Sequence, residues 1–553
     1  MRLRCRGDRR FARQHALPLL GLVSAIFFLV VQPIVATDKY WTGATGTAWG
    51  TNANWTGNAP SAGDNAVFNA TFLSSNQPTL TGSTSAGGIW MTGAITQNVT
   101  IGGGANVLSL GGNTINGTAG LGVLIDNTTA FTLTISCSVK IGNAQTWTNN
   151  STNLFTVSGP VNTNTKALTV NGTGNTAISG VISSSGPLTK SGTGTLTLSG
   201  TNTYTGITTV TAGTLSINLL ANGGSNSSLG AVTNAATNLV LNGGTLQYTG
   251  AAVSTDRLFS VGTSGATLDA SGTGAVNFTN TGTLGFNSQT GARTLTLTGT
   301  NTGDNTLAAV IGDNSGATAL VKSGTGTWVL SGSNTFSGTT TINGGTLKLA
   351  TSPGSALGST SSITVNSGGT LLLGASNQIN NSAGITLNGG TFATGGFSEG
   401  DSSHIGVGAL TLNADSSHID FGTGPAGLIT FASFTSNLHV LTIDNWTGTV
   451  GMVGSSSTDR LIFDSDQSSN LNYFSFIGFS GVTEISIGNG FYEIVPLVMT
   501  PEPATYAAGS LAVVGLLGHW RKRLWKSLRH RRSNGRGSKK VPSNLECNMH
   551  SSV

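Results

Sequence analysis

Between about residue 76 and residue 395 the chain places apolar residues in short alternating runs of three to five, separated by clusters of Gly, Asn, Ser and Thr. In Thr195-Leu196-Thr197-Leu198, period-two alternation puts Leu196 and Leu198 on the inner side of a strand and Thr195 and Thr197 on the outer side. Thr, Val, Ile, Leu and Phe favour strands, while Gly and Asn supply corners that need positive φ. Small signatures recur, among them Asn242-Gly243-Gly244-Thr245-Leu246, Asn343-Gly344-Gly345-Thr346-Leu347, Ser367-Gly368-Gly369-Thr370-Leu371 and Asn388-Gly389-Gly390-Thr391-Phe392. The later ones lie 24 and 21 residues apart. About three short strands in each such interval predict the coils of a parallel β-helix. A series of β-sandwiches would need longer strands and hairpin turns. Outward Thr and Asn are then placed to stack in ladders between coils.

A longer repeat sharpens this reading. Residues 188–217 (LTKSGTGTLTLSGTNTYTGITTVTAGTLSI) and 320–349 (LVKSGTGTWVLSGSNTFSGTTTINGGTLKL) are identical at 18 of 30 positions and lie 132 residues apart. The strand TLTL and its turn return at 294–302 with one change from 195–203. A repeat of this composition is a stacking element, because one unit cannot bury its apolar face without neighbours. Both flanks of the repeat region differ from it. Residues 37–75 hold Trp41, Trp49 and Trp55, which read as an aromatic cap on the first coil, with carbohydrate stacking as the functional alternative. Residues 396–499 are richer in Asp and Phe and read as terminal coils plus a C-terminal cap.

Composition changes the picture in two ways. Charged residues make up only 8% of 553, yet 37% are hydrophobic, which argues against disorder. The net charge of +5 comes from the ends: residues 37–500 carry 9 Lys and Arg against 17 Asp and Glu, a balance of −8. No nucleic-acid partner follows from so localised a basic charge. Cys5, Cys137 and Cys547 form neither a disulfide framework nor a CxxC metal site.

The ends read as addresses. Arg2, Arg4, Arg6, Arg9, Arg10 and Arg13 precede an apolar run over 16–31, and Ile34-Val35-Ala36 offers a small residue before Thr37. This is the layout of a signal peptide over 1–36, cut by signal peptidase between Ala36 and Thr37. At the other end, Pro501-Glu502-Pro503 leads into an apolar stretch over 506–520 and then Arg521-Lys522-Arg523. The basic cluster would hold that end of a short membrane helix in the cytoplasm. The three-part layout resembles the PEP-CTERM sorting signal, which implies cleavage by an exosortase-like membrane protease followed by release or surface attachment. It departs from that family in a span of about 15 residues, short for a bilayer, and in a basic tail over 524–553. The blocks at 188–217 and 320–349 resemble the autotransporter-associated β-strand repeat, also called the passenger-associated transport repeat, through Lys-Ser-Gly-Thr-Gly-Thr, the Ser-Gly-x-Asn-Thr-aromatic-x-Gly turn and the closing Gly-Thr-Leu. That resemblance implies an extracellular β-solenoid on a bacterial surface. No long C-terminal run of alternating apolar strands offers an outer-membrane barrel.

Candidate enzyme chemistry is sparse. Lys190-Ser191-Gly192-Thr193-Gly194 lacks the leading Gly of a phosphate loop. Asp401, Ser402, His404, His418 and Asp420 supply the residue types of a Ser-His-Asp triad, with nothing in their spacing to join them. Asp459, Asp464 and Asp466 form the nearest carboxylate group and read as solvated turn residues. The expected fold is all-β: a right-handed parallel β-helix, or β-solenoid, with capped ends, plus an N-terminal signal peptide and a short C-terminal transmembrane helix. The expected segments are 1–36 signal peptide, 37–75 cap, 76–395 solenoid, 396–499 terminal coils and cap, 500–523 sorting signal and 524–553 disordered tail. The expected function is that of an exported cell-surface or extracellular-matrix protein, structural or adhesin-like, transiently anchored in the inner membrane, with no catalytic, metal or cofactor residues. Its partners would be the two processing proteases and extracellular polysaccharide or other surface proteins. The alternative is a polysaccharide lyase or hydrolase on the same scaffold.

Overall fold

Alternation makes these segments strands, and their shortness forbids isolated sheets, so they gain stability only by stacking coil on coil. The computed structural model describes residues 36–499 other than Pro353. The expected signal peptide up to Val35, the sorting signal and the tail lie outside the described residues. Nearly every pairing is parallel, with each strand beside its counterpart one coil later. Each coil visits three faces. One coil runs through Val161–Asn162, Leu168–Asn171 and Thr176–Ile178, and the next begins at Ile182–Ser183. The first face holds the ladder from Thr84–Ala86 to Ile182–Ser183 and resumes from Val253–Thr255 to Phe474–Phe476. The second runs from Thr37–Tyr40 to Ser260–Val261, then continues as single bridges such as Leu357 to Ile379. The third runs from Val99–Ile101 to Arg460–Phe463. The chain is a parallel β-solenoid, as the alternation predicts.

Inward positions stack into columns. On the third face Leu246, Leu268, Leu297, Lys322, Ile342, Val365 and Leu387 pair in consecutive register, each at most 2% exposed. Each aliphatic rung contributes about 1.5–3 kcal/mol by burial. Leu196 and Leu198 are buried, Thr197 is exposed and Thr195 half-exposed, which is the inside–outside split read from the sequence. Outside, the expected ladders form. Asn366 Nδ2 donates to Asn343 Oδ1 at 2.6 Å, and Asn388 Nδ2 donates to Asn366 Oδ1 at 3.0 Å.

Coil length varies where polar groups have to be met internally. Leu188 pairs with Thr208 after 20 residues, but Thr208 pairs with Leu239 after 31. The extra loop breaks the first face. Arg257, 3% exposed, fills it by donating to the carbonyls of Ala221 (3.0 Å), Val232 (3.0 Å) and Gly230 (2.9 Å).

The two ends of the ladder are closed differently. At the start Trp41, Trp49 and Trp55 pack edge to face at 4.8–4.9 Å between ring centroids and are 0–4% exposed. Buried rings cannot stack on a carbohydrate, so the stacking alternative fails for them. At the other end Phe479–Gly488 and Phe491–Met499 form an antiparallel hairpin, whose second strand pairs antiparallel with Arg460–Phe463. There Arg460 and Glu493 form a buried ion pair at 2.8 Å. Among the described residues no helix is long and apolar enough to cross a membrane.

Glu399 is fully buried, and among the described residues no cation pairs with it; its carboxyl group accepts the backbone N–H groups of Gln378 (2.6 Å) and Ile379 (3.3 Å). Burial outweighs those hydrogen bonds and raises its pKa to about 8. The folded chain therefore keeps this proton where the unfolded chain has released it. Stability from this site is complete below about pH 4.5 and is lost as pH rises through 8. Glu399→Gln is expected to flatten this decline in a series of denaturation midpoints between pH 4.5 and 8; an unchanged slope would refute it.

Candidate functional site: the repeat corner

Each repeat copy is strand, corner, strand, wide turn, strand, corner, strand. In the first copy Leu188–Lys190 lies on the second face and Thr195–Leu198 on the third. In the second copy the matching residues lie one face further on: Thr318–Lys322 on the third and Thr327–Leu330 on the first. The repeat therefore encodes a corner, and it fits wherever a corner is needed.

Alternation turns Leu188 and Lys190 inward together. Lys190 stands in a column between Val170 and Val210, and Lys322 between Leu297 and Ile342. They are 2% and 0% exposed, and among the described residues no carboxylate forms an ion pair with either ammonium. Lys190 Nζ donates to the carbonyls of Ser191 (2.6 Å), Gly192 (2.8 Å) and Ala212 (3.2 Å). Lys322 Nζ donates to the equivalent carbonyls of Ser323 (2.8 Å), Gly324 (3.1 Å) and Gly344 (2.8 Å). Three donors meet three carbonyls from two successive corners, so each lysine ties one coil to the next. Burial lowers both ammonium pKa values to about 8.

The Ser-Gly-x-Asn-Thr turn supplies a second tie. Asn202 Oδ1 accepts the Ile182 N–H (2.8 Å) from the preceding coil, and its Nδ2 donates to Ser228 O (2.8 Å) beyond. Asn334 repeats this with the Ile311 N–H (2.8 Å) and Ala356 O (2.9 Å). The aromatic two residues later, Tyr204 or Phe336, is buried beneath the turn. Tyr204 satisfies its hydroxyl on Thr208 Oγ1 at 2.7 Å. Phe336 has no hydroxyl to satisfy, which explains why the two aromatics interchange.

The catalytic candidates do not assemble. Around Lys190 the corner presents carbonyls, the wrong polarity for a phosphate. Asp401 and Ser403 both contact Nδ1 of His404, at 2.8 Å and 3.1 Å on an exposed loop, whereas a triad needs the carboxylate and the nucleophile on opposite ring nitrogens of the histidine base. His418 Nδ1 pairs with Asp444 at 2.6 Å, not with Asp420, which instead accepts the Gly422 N–H and the Asn445 amide. Asp459 corrects the solvated-turn expectation: it is 2% exposed, accepting the Gly427 N–H (2.8 Å) and both the N–H and the hydroxyl of Thr447. Asp466 accepts the Ser468 N–H in a local turn. Among the described residues no group of three His, Cys, Asp or Glu is placed to hold a metal ion. Cys137 is buried and free.

Of the sorting and cleavage residues, Ala36 and Thr37 are described. Thr37 opens the first strand and donates its hydroxyl to Asp64. Pro501, Glu502, Pro503, Arg521, Lys522 and Arg523 lie outside the described residues. The internal roles of Lys190 and Lys322 escaped sequence reasoning, although the alternation Leu188-Thr189-Lys190 already turns the lysine inward.

Residues 188–217 and 320–349 match the family described as Passenger-associated-transport-repeat. Both blocks are copies of that repeat. A stretch of 169 residues, 30% of this chain, is 43% identical to the adhesin BmaC autotransporter of Brucella suis biovar 1 (strain 1330). The aligned stretch covers about 5% of that much longer protein. No solved structure matches the chain. The passenger-associated-transport repeat is thus, in this fold, a corner unit whose lysine and asparagine join three successive coils.

Proposed function

We propose that this chain is an exported, non-enzymatic β-solenoid that stands at a bacterial cell surface or in extracellular matrix and acts as a structural or adhesin-like element. The observation that carries the reading is the pair of passenger-associated-transport repeats, built as corners that tie successive coils together, within a chain that shares a 43%-identical segment with an autotransporter adhesin. Polar outer ladders such as Asn343, Asn366 and Asn388 fit a surface that meets water and glycans. In this proposal signal peptidase cuts between Ala36 and Thr37. The Pro501-Glu502-Pro503 motif, the apolar stretch and Arg521-Lys522-Arg523 then hand the chain to an exosortase-like protease. The carbohydrate-active alternative needs carboxylates converging on a groove, and Asp459 and Asp420 are instead engaged with their own turns. The test is adhesion. Cells lacking the gene are expected to lose attachment or matrix cohesion, restored by the gene; attachment and cohesion equal to the parent strain would overturn the proposal.

A further inference from the structure

The coil at 107–135 carries an antiparallel hairpin within the run of parallel strands. Asn113–Ile115 turns back antiparallel onto the start of Thr118–Ile125, with Asn116 and Gly117 both at positive φ (+46° and +77°). This two-residue Asn-Gly turn is the tightest hairpin connection available. The hairpin lies on the outside of the second face. There Ile115 and Leu121 cover Leu124 and the half-buried Trp90, forming a small apolar cluster separate from the main core.

Beside the hairpin lies an open groove of about 430 Å³. Its floor is Leu124 and one wall is the hairpin tip at Asn116 and Thr118. The opposite side is built from three successive coils: Asp126 and Asn127, then Asn150, then Thr173. At one strand spacing per coil these rungs extend over about 10 Å along the solenoid axis. Asp126 is held in place, its Oδ1 accepting the Trp90 indole N–H at 3.1 Å and its Oδ2 the Gly93 N–H at 3.4 Å. Among the described residues, the side chains of Asn116, Asn127 and Asn150 make no intramolecular hydrogen bond. Unlike Asn343, Asn366 and Asn388, which bond to one another, these amides keep their donors and acceptors free around a concavity.

We propose that this groove binds a neutral saccharide unit. Amides that both donate and accept suit hydroxyl groups, and the remaining lone pairs of the Asp126 carboxylate accept from another. With one carboxylate and no cation, the lining repels phosphates and acidic sugars. The volume accommodates one or two sugar rings. The proposal deepens the adhesin-like reading by naming a ligand class. It is separable from that reading, because it is measured on purified protein rather than on adhering cells.

The experiment is saturation-transfer NMR on the purified full chain with lactose, maltose, cellobiose and N,N′-diacetylchitobiose as probes. At least one is expected to bind saturably, and Asn127→Ala combined with Asn150→Ala is expected to weaken it at least tenfold. Those side chains hold nothing in the fold, so the variant should melt with the parent. Thr263→Ala, in a distant groove beside Arg293, should bind like the parent. Absence of binding by all four probes, or equal binding by the double variant, would overturn the proposal whether or not cells adhere.

Discussion

Lys322→Met should destabilise the solenoid by about 3 kcal/mol at pH 7, although methionine fills nearly the same volume. The substitution leaves the carbonyls of Ser323, Gly324 and Gly344 without their donor, and each unmet buried carbonyl costs on the order of 1 kcal/mol. Lys322→Ala adds a cavity and should cost a further 1–2 kcal/mol, roughly. The pH profile separates this mechanism from simple packing. The folded ammonium has a pKa of about 8 and the unfolded one about 10.5. Between those values the unfolded chain binds the extra proton, so the parent gains stability as pH rises. The gap between parent and Lys322→Met should widen over that window. Lys190→Met, 132 positions away in sequence, should behave alike and add to the first, because the sites share no partners. Chemical denaturation from pH 7 to 10.5 measures all of this, and a Met variant as stable as the parent at every pH would refute the corner lock.

Gly338→Ala is expected to be at least as damaging, about 3 kcal/mol or more, from a single methyl group. A Cβ there would lie 2.2 Å from Thr318 O and 2.6 Å from Thr318 C, in the backbone of the preceding coil. Backbone cannot swing aside as a side chain can, so the coils must part and their ladder bonds stretch. Gly206 occupies the same place in the first repeat, 2.3 Å from Gly186 O. Gly368 is the control. Its φ of +79° is unfavourable for alanine, but nothing lies within 4 Å of a Cβ, so Gly368→Ala should cost only about 1 kcal/mol. Thermal melts of the two alanine variants decide the matter; equal melting temperatures would contradict close coil contact as the reason for the repeat glycines.

Strand direction and burial were legible in the sequence because they depend on neighbours along the chain. Leu196 and Leu198 face inward and the Asn343, Asn366 and Asn388 ladder forms because alternation and a near-constant interval suffice to specify them. The face that a repeat copy occupies was not legible. Residues 188–217 and 320–349 share a local sequence, but the lengths of the coils between them set the phase, and those include the 31-residue coil held by Arg257. The hairpin at Asn116-Gly117 had a readable signal in its Asn-Gly pair, masked by the abundance of both residues. The groove beside it was not readable, since Asn127, Asn150 and Thr173 meet only through coil stacking. Asp459 was misread for a related reason: its partners Gly427 and Thr447 lie 32 and 12 residues away.

The most direct test of the central claim, an exported solenoid displayed outside the cell, is cell fractionation with mass spectrometry of both mature termini. The prediction is surface or released protein that begins at Thr37 and lacks peptides beyond Arg523. Protein confined to the cytoplasm with Met1 and the 524–553 tail intact would contradict it.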